Sequence, residues 1–187
     1  TFTQSGGTNT AHDVILGEGE AAQGTYHLKG GTLNALSIDT VHQGGIWDHG
    51  VFIFDGGTLN ASHFDVDRFW VGYTPGYAAN FTQPFAYYYA NDLYVGGETG
   101  SNGTYNLNDG MLKTNAIFYL GSKGTGVFNH NGGTVDANVL LFGWNAGGDA
   151  TYNLTGGTLT AWSGIQGGDN DGYGRLYVDG GLLDVHG

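Results

Sequence analysis

The residues best suited to catalysis lie within one short stretch, at His63, Asp65, Asp67 and Arg68. Enzymes that cleave polysaccharides need carboxylates and a base that converge on the scissile bond. If this stretch is a strand, residues 63, 65 and 67 share a face, because side chains alternate along a strand. The neighbouring stretches supply no matching acids. We therefore predict no catalytic residue, and a polysaccharide lyase or hydrolase is the enzymatic alternative.

A second group with ligand chemistry is Asp169 and Asp171, in the loop GGDNDG at residues 167–172. Carboxylate and carbonyl oxygens are the ligands that Ca²⁺ prefers. The loop lacks the ligand spacing of an EF-hand and the tandem nonapeptides of calcium-binding β-rolls. A solvated corner is therefore favoured over a weak calcium site, and no other metal or cofactor is predicted.

A third group is aromatic and forms a candidate binding patch of Trp70, Tyr73, Phe85, Tyr87 and Tyr89. Sugars stack on exposed aromatic rings, and protein interfaces are enriched in Tyr and Trp. The same bulky residues would also cover the core at an irregular coil. A binding patch and a structural cover both remain open, and a protein interface is favoured over a sugar site.

Composition limits the partners of the chain. It has 37 Gly among 187 residues, 2 Pro, no Cys and 14% aromatic residues, so the glycines punctuate an ordered structure. Its net charge of −12 disfavours nucleic acid and anionic membrane surfaces. Without cysteine there is no disulfide, thiolate metal site or cysteine nucleophile. No apolar run approaches the ~20 residues of a membrane span, so no membrane insertion is predicted.

The elements that must position these groups come from an internal repeat. Gly-Gly-Thr begins at residues 6, 30, 56, 132 and 156, and degenerate copies begin at 109 and 180. A hidden copy appears when FTQSGGTNTAHDVILG at 2–17 is aligned with FTQPFAYYYANDLYVG at 81–96, which places Phe85-Ala86 in the Gly-Gly position. Eight copies follow, with the first and last incomplete.

Each copy predicts three short strands. The first has inward residues such as Tyr26 and Leu28, the second follows the Gly-Gly turn, and the third ends in Gly. Three strands in about 24 residues make one coil of a parallel β-helix, with the first-strand aromatics forming one ladder through the core. His130 replaces an inward Leu and is predicted to be a hydrogen-bonded core histidine. We expect one all-β solenoid domain over residues 1–187, of about eight coils, with an irregular coil at 63–90.

The sequence of the repeats resembles the glycine-rich β-strand repeats of large exported bacterial proteins. The resemblance is carried by GTYNLTGGTLTA and TFTQSGGTNTA, followed by LYVG or FYLG. The exported repeat proteins include PEP-CTERM-type proteins and autotransporter-associated repeat proteins. The resemblance covers nearly the whole chain and implies a β-solenoid and export to the cell surface. Four sequons, at Asn60, Asn80, Asn102 and Asn153, are glycosylation candidates only if the source glycosylates exported proteins.

Together these observations predict a non-catalytic extracellular structural module that works by stacking coils. No polar cap is evident at either end, so we expect the partner to be another copy, stacked end to end, or further repeats of a parent chain. A carbohydrate-binding or adhesive module that uses the aromatic patch, with polysaccharide as its partner, is the alternative.

Overall fold

The structure is a computed structural model and describes residues 1–17, 22–40, 49–168 and 171–187. Within these ranges it is all-β, with seventeen strands that pair in parallel. The strands are β1 Phe2–Gln4, β2 Thr8–Ile15, β3 Gln23–Leu28, β4 Thr32–Asp39, β5 His49–Phe54, β6 Thr58–Val71, β7 Ala78–Thr82, β8 Tyr87–Val95, β9 Asn102–Leu107, β10 Met111–Leu120, β11 Thr125–His130, β12 Thr134–Phe142, β13 Asp149–Leu154, β14 Thr158–Ala161, β15 Ile165–Gly167, β16 Tyr173–Val178 and β17 Leu182–Val185. They stack as a β-solenoid of about seven turns with a spacing of about 24 residues, which confirms the predicted fold.

The Gly-Gly turns are needed because successive coils meet there at van der Waals distance. Gly31 has φ +81°, and a Cβ added to it would lie 2.2 Å from the carbonyl oxygen of Gly7 in the coil before. The Thr32 N–H donates to that same oxygen at 2.8 Å. A side chain would therefore be strained and would also separate the two coils.

The solenoid has three faces, and one inward-pointing residue of each rung is enough to trace each face. Face A is continuous through Phe2, Tyr26, Phe52, Phe69, Leu93, Phe118, Leu140 and Ile165. Face B is continuous through Val14, Ile38, Phe64, Tyr88, Leu112, Val135, Leu159 and Leu183. Face C is in two pieces, with Asn9, Leu33 and Leu59 in the first and Phe81, Tyr105, Phe128, Tyr152 and Leu176 in the second.

The break in face C marks a frame shift of the repeat. The second residue of the Gly-Gly turn is Gly57 in one copy and Ala86 in the next, a spacing of 29 residues. This is five more than the spacing of 24 residues from Ala86 to Gly110. Those extra residues make β6 fourteen residues long, and it crosses faces C, B and A before it ends. Every later coil is consequently rotated by one face relative to the first three.

The observed coil differs from the predicted coil in two details. The first-strand aromatics do not form one ladder, since Tyr26 and Phe52 lie on face A whereas Tyr105 lies on face C. The second and third strands of most coils also run together as one long strand, in which a bulge at the corner keeps the two halves on different faces. In β10 this bulge lies between Thr114 and Ile117.

Buried tyrosine hydroxyls are bonded to glutamine in the same way in two coils. The Tyr26 hydroxyl donates to Oε1 of Gln4 at 2.5 Å, and the Tyr105 hydroxyl donates to Oε1 of Gln83 at 2.6 Å. Both glutamines belong to the Phe-Thr-Gln triplets that revealed the hidden copy, and Ala86 accepts from the Met111 N–H as a second turn glycine does. The structure thus confirms that Phe85-Ala86 occupies the Gly-Gly position.

His130 has the corresponding role in the later coils. It is fully buried, and its Nδ1 lies 2.9 Å from the Tyr152 hydroxyl while its Nε2 lies 3.4 Å from the Gly133 carbonyl oxygen. Because a carbonyl only accepts, Nε2 carries the proton and Nδ1 accepts from the tyrosine. Burial lowers the pKa of His130. The prediction of a hydrogen-bonded core histidine is confirmed.

Candidate functional site

The four residues considered for catalysis do not lie on one surface. Three lie on the outside of two different faces, and the fourth lies at the corner between them. His63 and Asp65 lie on the outside of face B, and Arg68 lies on the outside of face A. Asp67 lies at the corner between these faces, where Val66 and Asp67 are buried in succession and the alternation of the strand breaks. The expectation that residues 63, 65 and 67 share a face is therefore wrong, because β6 turns the corner before residue 67.

These polar residues bond to neighbouring coils. His63 Nε2 lies 3.1 Å from Asp39 Oδ1, and His49 Nδ1 lies 3.3 Å from Asp67 Oδ2. Asn91 donates to Asp67 Oδ1 at 3.3 Å from the following coil. These contacts tie neighbouring rungs together along the axis, which gives His63 and Asp67 a structural role.

The carboxyl group of Asp92, which is in register with Arg68, has a raised pKa. Burial raises its pKa, and the negative charge of Asp67 adds to this, against a hydrogen bond from the Ile117 N–H and the positive charge of Arg68. The Ile117 N–H donates to Asp92 Oδ1 at 3.1 Å, so this carboxyl group also supports the bulge in β10.

The calcium candidate can be placed only in part. Asp169 lies outside the described residues, and Asp171 is exposed with φ +66°. Among the described residues there is no group of three or more His, Asp or Glu side chains that could hold a metal ion.

The aromatic candidates lie on three separate surfaces. Trp70 is on the outside of face A with Tyr73 edge-on against it at 5.1 Å, and Tyr87 and Tyr89 are on the outside of face B. Phe85 is at the turn between faces C and B and is 79% exposed. The structure does not bring the five residues together as one platform.

The Trp70 surface is a column of stacked rings. Trp70 lies 3.8 Å from Tyr94 with an interplanar angle of 5°, and Tyr94 lies 4.6 Å from Tyr119 with an angle of 9°. Their faces cover one another, so the column presents ring edges, and a sugar ring would have to displace a neighbour to stack. Sequence reasoning missed Tyr94 and Tyr119, although both occupy the aromatic position of the motifs LYVG and FYLG.

Asparagine ladders form a further regular feature, and the longer of the two was missed from the sequence. Along face C, each amide donates to the preceding one at 2.7 to 2.9 Å, from Asn153 through Asn129 and Asn106 to Asn80. A shorter ladder joins Asn60 to Asn34 at 2.8 Å. The signal was present in the sequence, since Asn106, Asn129 and Asn153 recur at the same position of their copies.

A step in the surface lies near the candidate residue Phe85. Two recesses of about 450 Å³ and 240 Å³ lie beside the break in face C and share Asn60 and Pro84 as lining residues. Phe85 stands at the end of the larger recess, and Asn80 and Thr82 line the smaller one. Two of the sequon asparagines, Asn60 and Asn80, therefore face these recesses.

Comparison with known proteins finds no matching family model, no matching curated protein and no matching solved structure. No helix that is long and apolar enough to cross a membrane occurs among the described residues. The geometry of the solenoid itself must therefore carry any functional argument.

Proposed function

We propose that this chain is a non-catalytic structural module of an exported protein, which acts as a spacer or filament component by stacking coils. The observation that carries the proposal is the state of the two end coils. Within the described chain, β1 and β2 begin the stack and β15, β16 and β17 end it, with no strand beyond them.

Both end coils present apolar side chains together with these open strand edges. At the first coil Phe2, which occupies the inward position of face A, is 54% exposed. At the last coil Val178 and Val185 continue the inward positions of Leu154 and Ala161 and are 50% and 47% exposed. Open parallel edges with apolar residues favour pairing with a further coil.

The order of the faces is compatible with such pairing. At the first coil β1 lies on face A and β2 supplies faces C and B, whereas at the last coil β15, β16 and β17 supply A, C and B. A following coil can therefore extend all three ladders with parallel strands, whether it belongs to the same chain or to another copy.

Two further features support a structural role outside the cell. His63 and Asp67, two of the four residues considered for catalysis, are paired with residues of neighbouring coils, and the negative charge of −12 opposes sideways association of the rods. The resemblance to exported β-strand repeats and the lack of cysteine agree with a place at the bacterial surface.

Stacking is tested by sedimentation and negative-stain microscopy over a concentration series. We expect rods longer than the about 35–40 Å spanned by eight rungs at ~4.8 Å each. The double variant Phe2→Lys/Val178→Lys should give single short rods, because it places a charge at an inward position that is exposed at each end coil. The control Tyr87→Lys changes an exposed residue on the side of the rod and should leave stacking intact. Monomers of the wild type at every concentration would rule out stacking between copies.

A further inference from the structure

The step at the frame shift arises because two kinds of corner meet there. In the first three coils the corner between faces C and B follows Ala11, Ala35 and Ala61. In the fourth coil the same corner is the turn that contains Pro84 and Phe85. The larger recess of about 450 Å³ runs along the alanine corner and ends at this turn.

The smaller recess opens between two strand edges. The first part of β6 pairs with β4 on one side, and β7 pairs with β9 on the far side. The edges that face each other, at Thr58–Asn60 and Asn80–Thr82, form no ladder and enclose about 240 Å³. Backbone N–H and C=O groups at such edges are available to a ligand.

The lining of both recesses is uncharged, although the chain carries 17 acidic residues. Its polar groups are amides and hydroxyls, including those of Asn34, Asn60, Asn80 and Ser62. Amides and hydroxyls both donate and accept hydrogen bonds, as a sugar hydroxyl requires. An ionic ligand would find no opposite charge to offset its desolvation here.

Phe85 adds an apolar ring to this polar lining. It is 79% exposed, and no aromatic ring of a described residue stacks on it, unlike the rings of the Trp70 column. An exposed ring beside neutral hydrogen-bonding groups matches a pyranose ring, which has an apolar C–H face and a rim of hydroxyls.

We propose that this step is a binding site for a neutral oligosaccharide, which stacks on Phe85 and bonds to the amides and open strand edges around Asn60 and Asn80. The site belongs to the side of the rod and is separate from the end coils. A module that stacks through its ends would therefore present one such site per chain along its length.

The test uses the whole chain, made in a host without N-glycosylation because Asn60 and Asn80 stand in sequons. Titration calorimetry is performed with cellohexaose, laminarihexaose, mannohexaose and xylohexaose, and with hexagalacturonate as the anionic comparison. We expect at least one neutral hexasaccharide to bind and Phe85→Ala to weaken it by about tenfold or more. Phe85→Trp should retain binding. Tyr173→Ala, which removes another exposed aromatic ring away from the step, should leave it unchanged.

Three results of the binding measurements would overturn the proposal. The first is no binding of any neutral hexasaccharide, and the second is binding that is unaffected by Phe85→Ala. The third is hexagalacturonate binding as tightly as the neutral sugars with the same dependence on Phe85. Sedimentation of Phe85→Ala is measured in parallel, since a loss of self-association would identify the step as a contact between chains and would also overturn it.

Discussion

Phe52 and Phe69 are neighbours on face A, paired in register with ring centroids 6.0 Å apart, although the repeat assigns them to different strands of one copy. The residue that the repeat equates with Phe52 is Phe81, which begins the second piece of face C. One extra strand segment in β6 therefore divides the solenoid into two parts. Equivalent residues of the repeat lie on different faces in these two parts. The continuous core survives because Phe54 and Phe81 still pack at 5.2 Å across the break.

Gly31→Ala should strongly destabilise the solenoid because it combines backbone strain with a clash between coils. A non-glycine residue at φ +81° costs about 1–2 kcal/mol, and overpacking against the Gly7 carbonyl adds about 1–3 kcal/mol. The measurement is the free energy of unfolding in urea.

Gly76→Ala is the matched control for this substitution. Gly76 also has φ +81°, but a Cβ there would meet nothing within 4 Å. The free energy of unfolding of this variant should fall only by the cost of backbone strain, about 1–2 kcal/mol. Equal losses in the two variants would show that the turn glycines are required for φ alone and not for the close stacking of coils.

The sequence predicted the structure of a single coil, but it did not predict the frame shift at β6. The turn glycines and alternating apolar residues define strands and corners locally, so the solenoid and the role of His130 could be inferred from their positions. The frame shift could not, because an insertion of five residues in β6 is compatible with either a bulged loop or an extra strand segment. Only the pairing of Phe52 with Phe69 decides between them.

The same limit applies to the candidate site. Trp70 and Phe85 are close in sequence, but a rotation of one face separates the surfaces on which they lie. The step that groups Phe85 with Asn60 and Asn34 joins residues from different coils, and its existence depends on the frame shift. Spacing within one copy carries no information about such a site.

Gln83→Leu should destabilise the chain by about 1–3 kcal/mol, because it leaves the Tyr105 hydroxyl buried without its acceptor. It also removes the amide that donates to the carbonyl oxygens of Ala86 and Met111 at 3.0 Å. The measurement is a double-mutant cycle of unfolding free energies with Tyr105→Phe. The double variant should be less destabilised than the sum of the single variants, since the hydroxyl that lacks an acceptor is then absent. Strict additivity would contradict the coupling of these two side chains.

His130 should make the solenoid less stable in mild acid. Because burial lowers its pKa in the folded state, the unfolded chain binds the proton more readily. The stabilising contribution is complete above the unfolded pKa of about 6.5 and is lost as pH falls through the folded pKa. Unfolding free energies measured between about pH 8 and pH 5 should therefore decrease toward low pH.

His130→Gln isolates this effect, because glutamine already accepts from the tyrosine hydroxyl at Gln4 and Gln83. The variant should match the wild type near pH 8 and lose less stability toward pH 5. His12→Gln, at an exposed histidine, should keep the wild-type pH dependence. If His130→Gln and the wild type have the same slope, the pH dependence arises from the other histidines.

Asp55→Asn should destabilise the corner that follows β6, at Tyr73 and Thr74. The Asp55 carboxylate accepts from the Tyr73 N–H at 2.7 Å and from the N–H and hydroxyl of Thr74, and its Oδ2 lies 2.6 Å from His27 Nε2. Burial acts to raise the pKa of Asp55, but the hydrogen bonds from Thr74, His27 and Tyr73 outweigh it and hold the pKa below the usual value. An amide cannot accept from all of these donors, so we expect a loss of about 1.5–3 kcal/mol.

The pH dependence gives this last prediction a second readout. Since the folded pKa of Asp55 is lowered, its contribution is present above the ordinary value of 3.8 and is lost as pH falls through the folded pKa. The wild type should approach the stability of Asp55→Asn below about pH 4, whereas the two should differ most near neutral pH. Asp109→Asn serves as the control, because the hydrogen bond of Asp109 among the described residues comes from the neighbouring Gly110 N–H, and it should stay within about 0.5 kcal/mol of the wild type. A similar loss in both variants would mean that the corner after β6 does not depend on the Asp55 carboxylate.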